Sequence, residues 1–385
     1  MARIKLAFVA IFFTLSVLPV LQWATGLVDI SALQERRRMA PPPDVAAIVL
    51  RGDGRLSAAI NTWFDDRYGF RSLFIRAKHQ LDYWLFRHSD KVFIGRAGWL
   101  YEPAAFDAAI ATERVGEAAE ELAQRRYVEM AHYLAGAGIR LIIIDSPSKE
   151  ATYPQYLPGG IPTLPAHGRS ETMRSWLKSR SEFDFIDGHD VLAMCGPWRT
   201  FNLIDIHMTM PGGVCMARAL IAQIAKDEGR AASPWDRTFT YTELRSTNGG
   251  QGDFLALLMP VSQMSYVPDH DYYGERDPSF STDPAGIFEW IYRVPQASSA
   301  DLLPGIVLFG DSFVDHYRSA GLHAYLAAEY RARDSGHNLP TVLANIPAGT
   351  HYFVFESRDF WIDAIVQYRA SVAEMAEQIR AQRTN

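Results

Sequence analysis

The sequence predicts an α/β fold with a mainly parallel sheet covered on both faces, and three observations carry that prediction. Residues 139–145 and 306–309 are short apolar runs of the kind that form fully buried strands, helical patterns alternate with such runs, and Gly or Pro marks the junctions. In a sheet of this type catalytic groups gather at the carboxyl ends of strands, where Asp145, Asp311 and Ser312 all fall.

Taken in order, a helical run over 115–135 is closed by Gly136 and Gly138 and feeds the strand Ile139-Arg140-Leu141-Ile142-Ile143-Ile144-Asp145. A second helix over 170–181 feeds a strand at 183–187, and a third helix starts near Gly212 and reaches Lys226. Residues 231–303 read as irregular. The strand pattern restarts at 304–309, followed by a helix over 315–331, strands at 339–345 and 352–356, and a final amphipathic helix from 357 to 382. No internal repeat is visible.

Ahead of this core, Arg3 and Lys5 precede an uncharged, mostly apolar stretch at 6–28, long enough to cross a bilayer and oriented with its N-terminus in the cytoplasm. An uncleaved anchor is the preferred reading. A cleaved signal peptide, cut near Ala24-Thr25-Gly26, is the alternative, and either one exports the remainder. The domain plan is an anchor or signal at 1–28, a charged and Pro-rich linker at 29–55, and the catalytic-type domain at 56–385. Within it, the aromatic-rich stretch 63–84 reads as helical core, and 92–101 as a short hairpin.

A net charge of −6 with scattered Lys and Arg argues against nucleic-acid binding. Metal-ligand spacings are absent, and no cofactor or metal is expected. The only two cysteines, Cys195 and Cys215, bracket Asp205 and His207. Export permits a disulfide between them, and two separate buried thiols are the other reading.

The run Ile306-Val307-Leu308-Phe309 leads through Gly310-Asp311 to Ser312 and then a helix, which sets a serine hydroxyl at a strand-to-helix turn where backbone N–H groups can hold an oxyanion. Such a serine needs a base, normally a histidine fixed by a carboxylate. Of the eleven histidines, His207 stands apart: it lies in Leu203-Ile204-Asp205-Ile206-His207-Met208, with Asp205 two residues before it and a Pro-Gly-Gly turn after. His316, four residues beyond Ser312, is placed to help shape the site, with a helix-surface role as the preferred reading.

These residues resemble the SGNH-hydrolase-like exopolysaccharide O-acetyltransferases typified by periplasmic alginate acetyltransferases. The Asp-x-His motif precedes the serine, as in that family. Trp63 to Arg71, Gly95-Arg96-Ala97-Gly98-Trp99-Leu100-Tyr101, Pro147-Ser148-Lys149 to Pro154, Gly252-Asp253-Phe254 and Phe355-Glu356-Ser357-Arg358 resemble its dispersed motifs. Met208 departs from the family's usual Trp. The resemblance implies a three-layer SGNH-like sandwich with a permuted triad order, with Ser312 as nucleophile, His207 as base and acid, and Asp205 as the orienting carboxylate. It implies acetyl transfer to an exported polysaccharide, a periplasmic domain held at the inner membrane, and an integral membrane O-acyltransferase that supplies acetyl. A carbohydrate acetylesterase and a non-catalytic polysaccharide-binding scaffold are the alternative functions. Lys149 and Tyr153, after the first core strand, are candidate substrate contacts, whereas Glu356 and Arg358 read as a structural ion pair or helix cap.

Overall fold

In the computed structural model, the structure describes residues 2–28, 38–46, 48, 55–114, 116–161, 168–230, 242–245, 270–273, 281–294, 302–334, 338–358 and 364–384. Residues 29–37, 47 and 49–54 of the expected linker and the Gly252-Asp253-Phe254 motif lie outside these residues. The chain divides into two compact units, Met1–Lys91 with Ala256–Tyr266, and Val92–Leu255 with Val267–Asn385.

The described part of the first unit is helical: α1 (Ala2–Thr25), α2 (Leu56–Arg67) and α3 (Arg71–Phe86). Residues Ile4–Thr25 of α1 have a mean hydropathy of 2.3 and are long and apolar enough to cross a membrane, by length and composition alone. The α2–α3 turn approaches α1 closely at Gly69, whose N–H donates to Pro19 O at 3.0 Å and where any side chain would overlap that carbonyl. The expectation that 63–84 is core is corrected: Phe64, Leu73, Phe74, Leu81 and Trp84 are exposed. Two adjacent helices bury the face they share, and the remaining aromatics of this pair lie outside it.

The second unit is the α/β body. A small hairpin, β1 (Phe93–Ile94) and β2 (Leu100–Tyr101), precedes α4 (Pro103–Glu113) and α5 (Glu117–Gly136). The sheet strands are β3 (Arg140–Ser146), β4 (Asp184–Asp187), β7 (Trp290–Arg293), β8 (Gly305–Gly310), β9 (Ala328–Arg333) and β10 (Thr350–Arg358), in the order β4-β3-β10-β8-β9-β7. Every neighbouring pair is parallel except β9 with β7. Strands β5 (Thr242–Arg245) and β6 (His270–Tyr273) form a separate antiparallel pair.

Alternation along the buried strands builds two cores. Ile142, Ile144, Ile306, Leu308 and Val354 face one layer, which includes α9 (Met210–Asp227) through Val214, Ala217, Leu220 and Ile221. Leu141, Ile143, Val307, Phe309 and Phe353 face the other, with Tyr127, Met130 and Leu134 of α5, Met173 of α7 (Arg169–Lys178) and Val372 of α12 (Val372–Thr384). Side chains two apart on a strand share a face, so these near-continuous apolar runs supply both layers at once. The three-layer α/β reading is what the structure shows.

Four element assignments change. The expected helix over 315–331 is a short helix α10 (Val314–Ser319), ended ahead of Gly321 at φ +87°, and then β9. Ala, Glu and Arg favour helix on their own, but the pairing of β9 with both β8 and β7 overrides that preference. The expected strand at 339–345 is helix α11 (Leu339–Ala344), with Pro340 in its first turn where the missing N–H costs nothing. The expected irregular segment 231–303 contributes β7 to the main sheet, and the helix expected from 357 begins at Val372 because β10 runs on to Arg358.

Candidate active site

The turn that carries Ser312 follows the fully buried strand β8. Gly310 is obligatory there, since a side chain would overlap the Glu356 carboxylate and lie 3.0 Å from Val314 Cγ1. Each peptide of the turn is held. Arg331, 1% exposed on β9, donates Nη1–H to Gly310 O at 3.1 Å and Nη2–H to Asp311 O at 2.5 Å. Glu356 Oε2 accepts Asp311 N–H at 3.1 Å, and Asp311 Oδ1 accepts Phe313 N–H at 2.7 Å. Arg358 pairs with Asp311 at 2.7 Å, and its charge also acts on Glu356. Burial, then the Asp311 charge, push the Glu356 carboxyl well above the usual range.

His207 arrives on the loop before α9. Phe201 and Met208 form an antiparallel bridge, Asn202 donates from Nδ2 to the carbonyls of His207 and Met208, and Thr209 donates to the carbonyls of Arg199 and Thr200. Thr209 caps α9 and Pro211 opens it, so the expected Pro-Gly-Gly turn is the first turn of that helix. The two glycines allow close approach: a Cβ at Gly212 would meet Thr200 O at 2.5 Å, and one at Gly213 would meet His316 O at 2.6 Å. Met208, 1% exposed, fills the core next to His207. A disulfide joins Cys195 to Cys215, with 5.8 Å between their Cα atoms, and closes the loop that carries Asp205 and His207.

The outcome is a continuous line of hydrogen bonds. Asp205 Oδ1 accepts from His207 Nδ1 at 2.6 Å and from His207 N–H at 2.8 Å, and His207 Nε2 stands 2.8 Å from Ser312 Oγ. With Nδ1 protonated against Asp205, Nε2 is left as acceptor for the serine proton. Phe313 and His316 flank the imidazole, with ring centroids at 5.8 and 5.4 Å. His316 is therefore part of the site wall and not an isolated surface residue; burial, then the His207 charge, lower its pKa to about 4 and keep it neutral.

The structure places the two candidate substrate contacts, Lys149 and Tyr153, against the loop that carries Asp205. Lys149 is 1% exposed, and its three N–H groups go to Leu100 O, Leu203 O and Asp205 O at 2.7, 2.7 and 2.9 Å. An ammonium has three donors, so none remains for a ligand. Burial pulls its pKa down to about 7, while three carbonyl acceptors favour the charged form. The Tyr153 hydroxyl accepts Thr200 N–H at 3.0 Å and lies 3.2 Å from Thr200 Oγ1, and its ring packs on Trp99. Both residues brace the loop that carries Asp205. Sequence reasoning missed Arg331 because it looked like one charge on a helix; the charged pair Glu329 and Arg331 within an otherwise apolar stretch was the available signal. Among the described residues no cluster of His, Cys, Asp and Glu fits a metal ion.

The profile of the SGNH hydrolase-like domain of the AlgX acetyltransferase family matches residues 92–332. No curated protein sequence matches the chain. Among solved structures, Bacillus cereus PatB1 carrying a sulfonyl adduct superposes with a TM-score of 0.50 at 11% identity, over 71% of this chain and 97% of that one. The O-acetyltransferase domain of Pseudomonas putida AlgJ gives 0.48 at 17% identity over 75% and 99%, and Pseudomonas aeruginosa AlgX gives 0.46 at 14% over 79% and 69%. The profile spans well over half of the 385 residues and includes both the Asp-x-His loop and the serine turn, so the chain belongs to the AlgX-type SGNH hydrolase-like acetyltransferase domain family.

Proposed function

We propose that this protein is an O-acetyltransferase that acetylates hydroxyls of an exported polysaccharide through an acetyl-serine intermediate. The observation that carries the reading is the unbroken line from Asp205 through His207 to Ser312 at the carboxyl end of a parallel strand. His207 Nε2 takes the Ser312 proton as Oγ attacks the acetyl carbonyl of a donor ester. The tetrahedral intermediate collapses as the donor oxygen leaves with the proton held on His207. A sugar hydroxyl then gives its proton to His207 and attacks the acetyl-serine, and Ser312 is regenerated. Asp205 fixes the imidazole tautomer and stabilises its cationic form in both halves. Met208 fills the space beside the base that the family usually gives to Trp.

The acetyl donor is supplied by an integral membrane O-acyltransferase, and α1 anchors the exported domain at the inner membrane, on its periplasmic side. The close approach of Gly69 to Pro19 supports a retained anchor, because it ties α1 to the helices that follow. The test is incubation of the purified chain with an aryl acetate ester and acidic or neutral oligosaccharides. The proposal expects acetylated sugar from the wild type and none from Ser312→Ala. Acetate release with no acetylated sugar from any acceptor makes the protein an esterase, and unchanged sugar acetylation by Ser312→Ala removes the serine from the mechanism.

A further inference from the structure

The peptide that joins Asp311 to Ser312 has an asymmetric environment. Its carbonyl accepts from the buried guanidinium of Arg331 at 2.5 Å, while the Ser312 N–H makes no hydrogen bond among the described residues. The preceding peptide is occupied at both ends, with Arg331 and Asp334 N–H on Gly310 O and Glu356 on Asp311 N–H. One plane is thus locked, and the next is locked only at its carbonyl, with its donor unused beside the serine oxygen.

A peptide is conjugated, so a cation on its oxygen draws electron density from its nitrogen and strengthens the N–H as a donor. The contact is charge-assisted and has a fixed direction. Stability alone is a poor reason to keep Arg331: removing a guanidinium from water costs several kcal/mol, and apolar replacements of buried ion pairs are often neutral or better. Asp315 Oδ1, 3.1 Å from Arg331 Nε, offsets that cost, and Ala332 O takes a further bond. The two terminal nitrogens face the backbone of the nucleophile turn.

We infer that Arg331 is a positioning residue that orients and polarises the Ser312 N–H as an oxyanion donor. This rests on the reading of Ser312 as nucleophile. Charge that develops on the acetyl carbonyl oxygen during attack meets that N–H, and Arg331 acts through the peptide without touching the substrate.

The experiment measures the pre-steady-state burst of aryl alcohol from an aryl acetate ester with the full chain carrying Arg331→Gln or Arg331→Lys. A single oxyanion donor is worth about 100- to 1000-fold, so weakening one lowers the acylation rate about 10- to 100-fold in Arg331→Gln. Arg331→Lys keeps a cation and loses less. The half-saturating ester concentration stays within about twofold, because the interaction belongs to the transition state. The midpoint of the acid limb of the rate profile also stays in place, since the His207–Ser312 bond is untouched. Loosening of the fold alone would move both. The inference is overturned if folded Arg331→Gln acylates at the wild-type rate, if Lys is no better than Gln, or if the loss lies in ester binding. Where Arg331→Gln does not fold, Arg331→Lys is judged by the same split. A burst retained by Ser312→Ala refutes the nucleophile itself, whereas a dead Ser312→Ala beside a fully active Arg331→Gln refutes only the role of Arg331.

Discussion

Replacing Cys195 and Cys215 together with Ser removes the covalent closure of the loop that carries two of the three aligned groups. The bridged residues are 20 apart in sequence. Constraining a loop of that length in the unfolded chain stabilises the native state by about 3 kcal/mol in the chain-entropy model. For a domain of this size that corresponds to a fall in melting temperature of about 4–5 °C. Asp205 and His207 sit inside the loop, and the Phe201–Met208 bridge and the Asn202 bonds survive without the disulfide. The double variant therefore keeps a folded site at low temperature and loses activity at temperatures where the wild type still works. Thermal unfolding followed by circular dichroism, with and without a thiol reductant, measures the shift. The same melting temperature for wild type and double variant, with the wild type insensitive to reductant, would show that the bridge contributes nothing and refute the reasoning.

Two further outcomes follow from buried ionisable groups. Lys149→Met leaves the carbonyls of Leu100, Leu203 and Asp205 without their donor; a loss of about 3–5 kcal/mol is expected by denaturant titration, together with a fall in kcat, because Asp205 is no longer held from behind. His316 has a folded pKa of about 4 against 6.5 for the free group, so between those values the unfolded chain binds the proton and the folded one does not. Its contribution is complete above pH 6.5 and is lost as pH falls toward 4. Discounted for partial exposure of the ring, this is roughly 2 kcal/mol. His316→Gln should lack that part of the acid destabilisation, and identical stability-versus-pH curves for variant and wild type would contradict it.

The parts of the fold legible in the sequence were those in which local pattern and tertiary role agree. Ile139 to Asp145 and Ile306 to Phe309 are apolar on both faces because both faces are covered, and no helix of that length competes. Segment 328–333 reads as helix because the buried charges Glu329 and Arg331 disguise a strand; the partners of Arg331, Gly310, Asp311 and Asp315, are distant in sequence, which single-sequence periodicity cannot see. Pro340 was readable as a helix opener but stood in a run of Thr, Val and Leu that favours strand. In the site, Ser312, His207 and Asp205 announced themselves through short-range motifs. Lys149 was located correctly after the first core strand but assigned outward, because nothing local shows that three carbonyls from two other segments converge on it. Arg331 and Glu356 were unreadable for the same reason, since their partners in the serine turn lie on neighbouring strands and not on neighbouring residues.

The most direct test of the central claim is peptide mass spectrometry of the full chain after brief exposure to an aryl acetate ester without acceptor. The account predicts one acetyl group on the peptide containing Ser312, discharged when oligosaccharide is added, and absent from His207→Ala. Acetylated oligosaccharide formed while Ser312 never carries acetyl, or formed equally by Ser312→Ala, would contradict it.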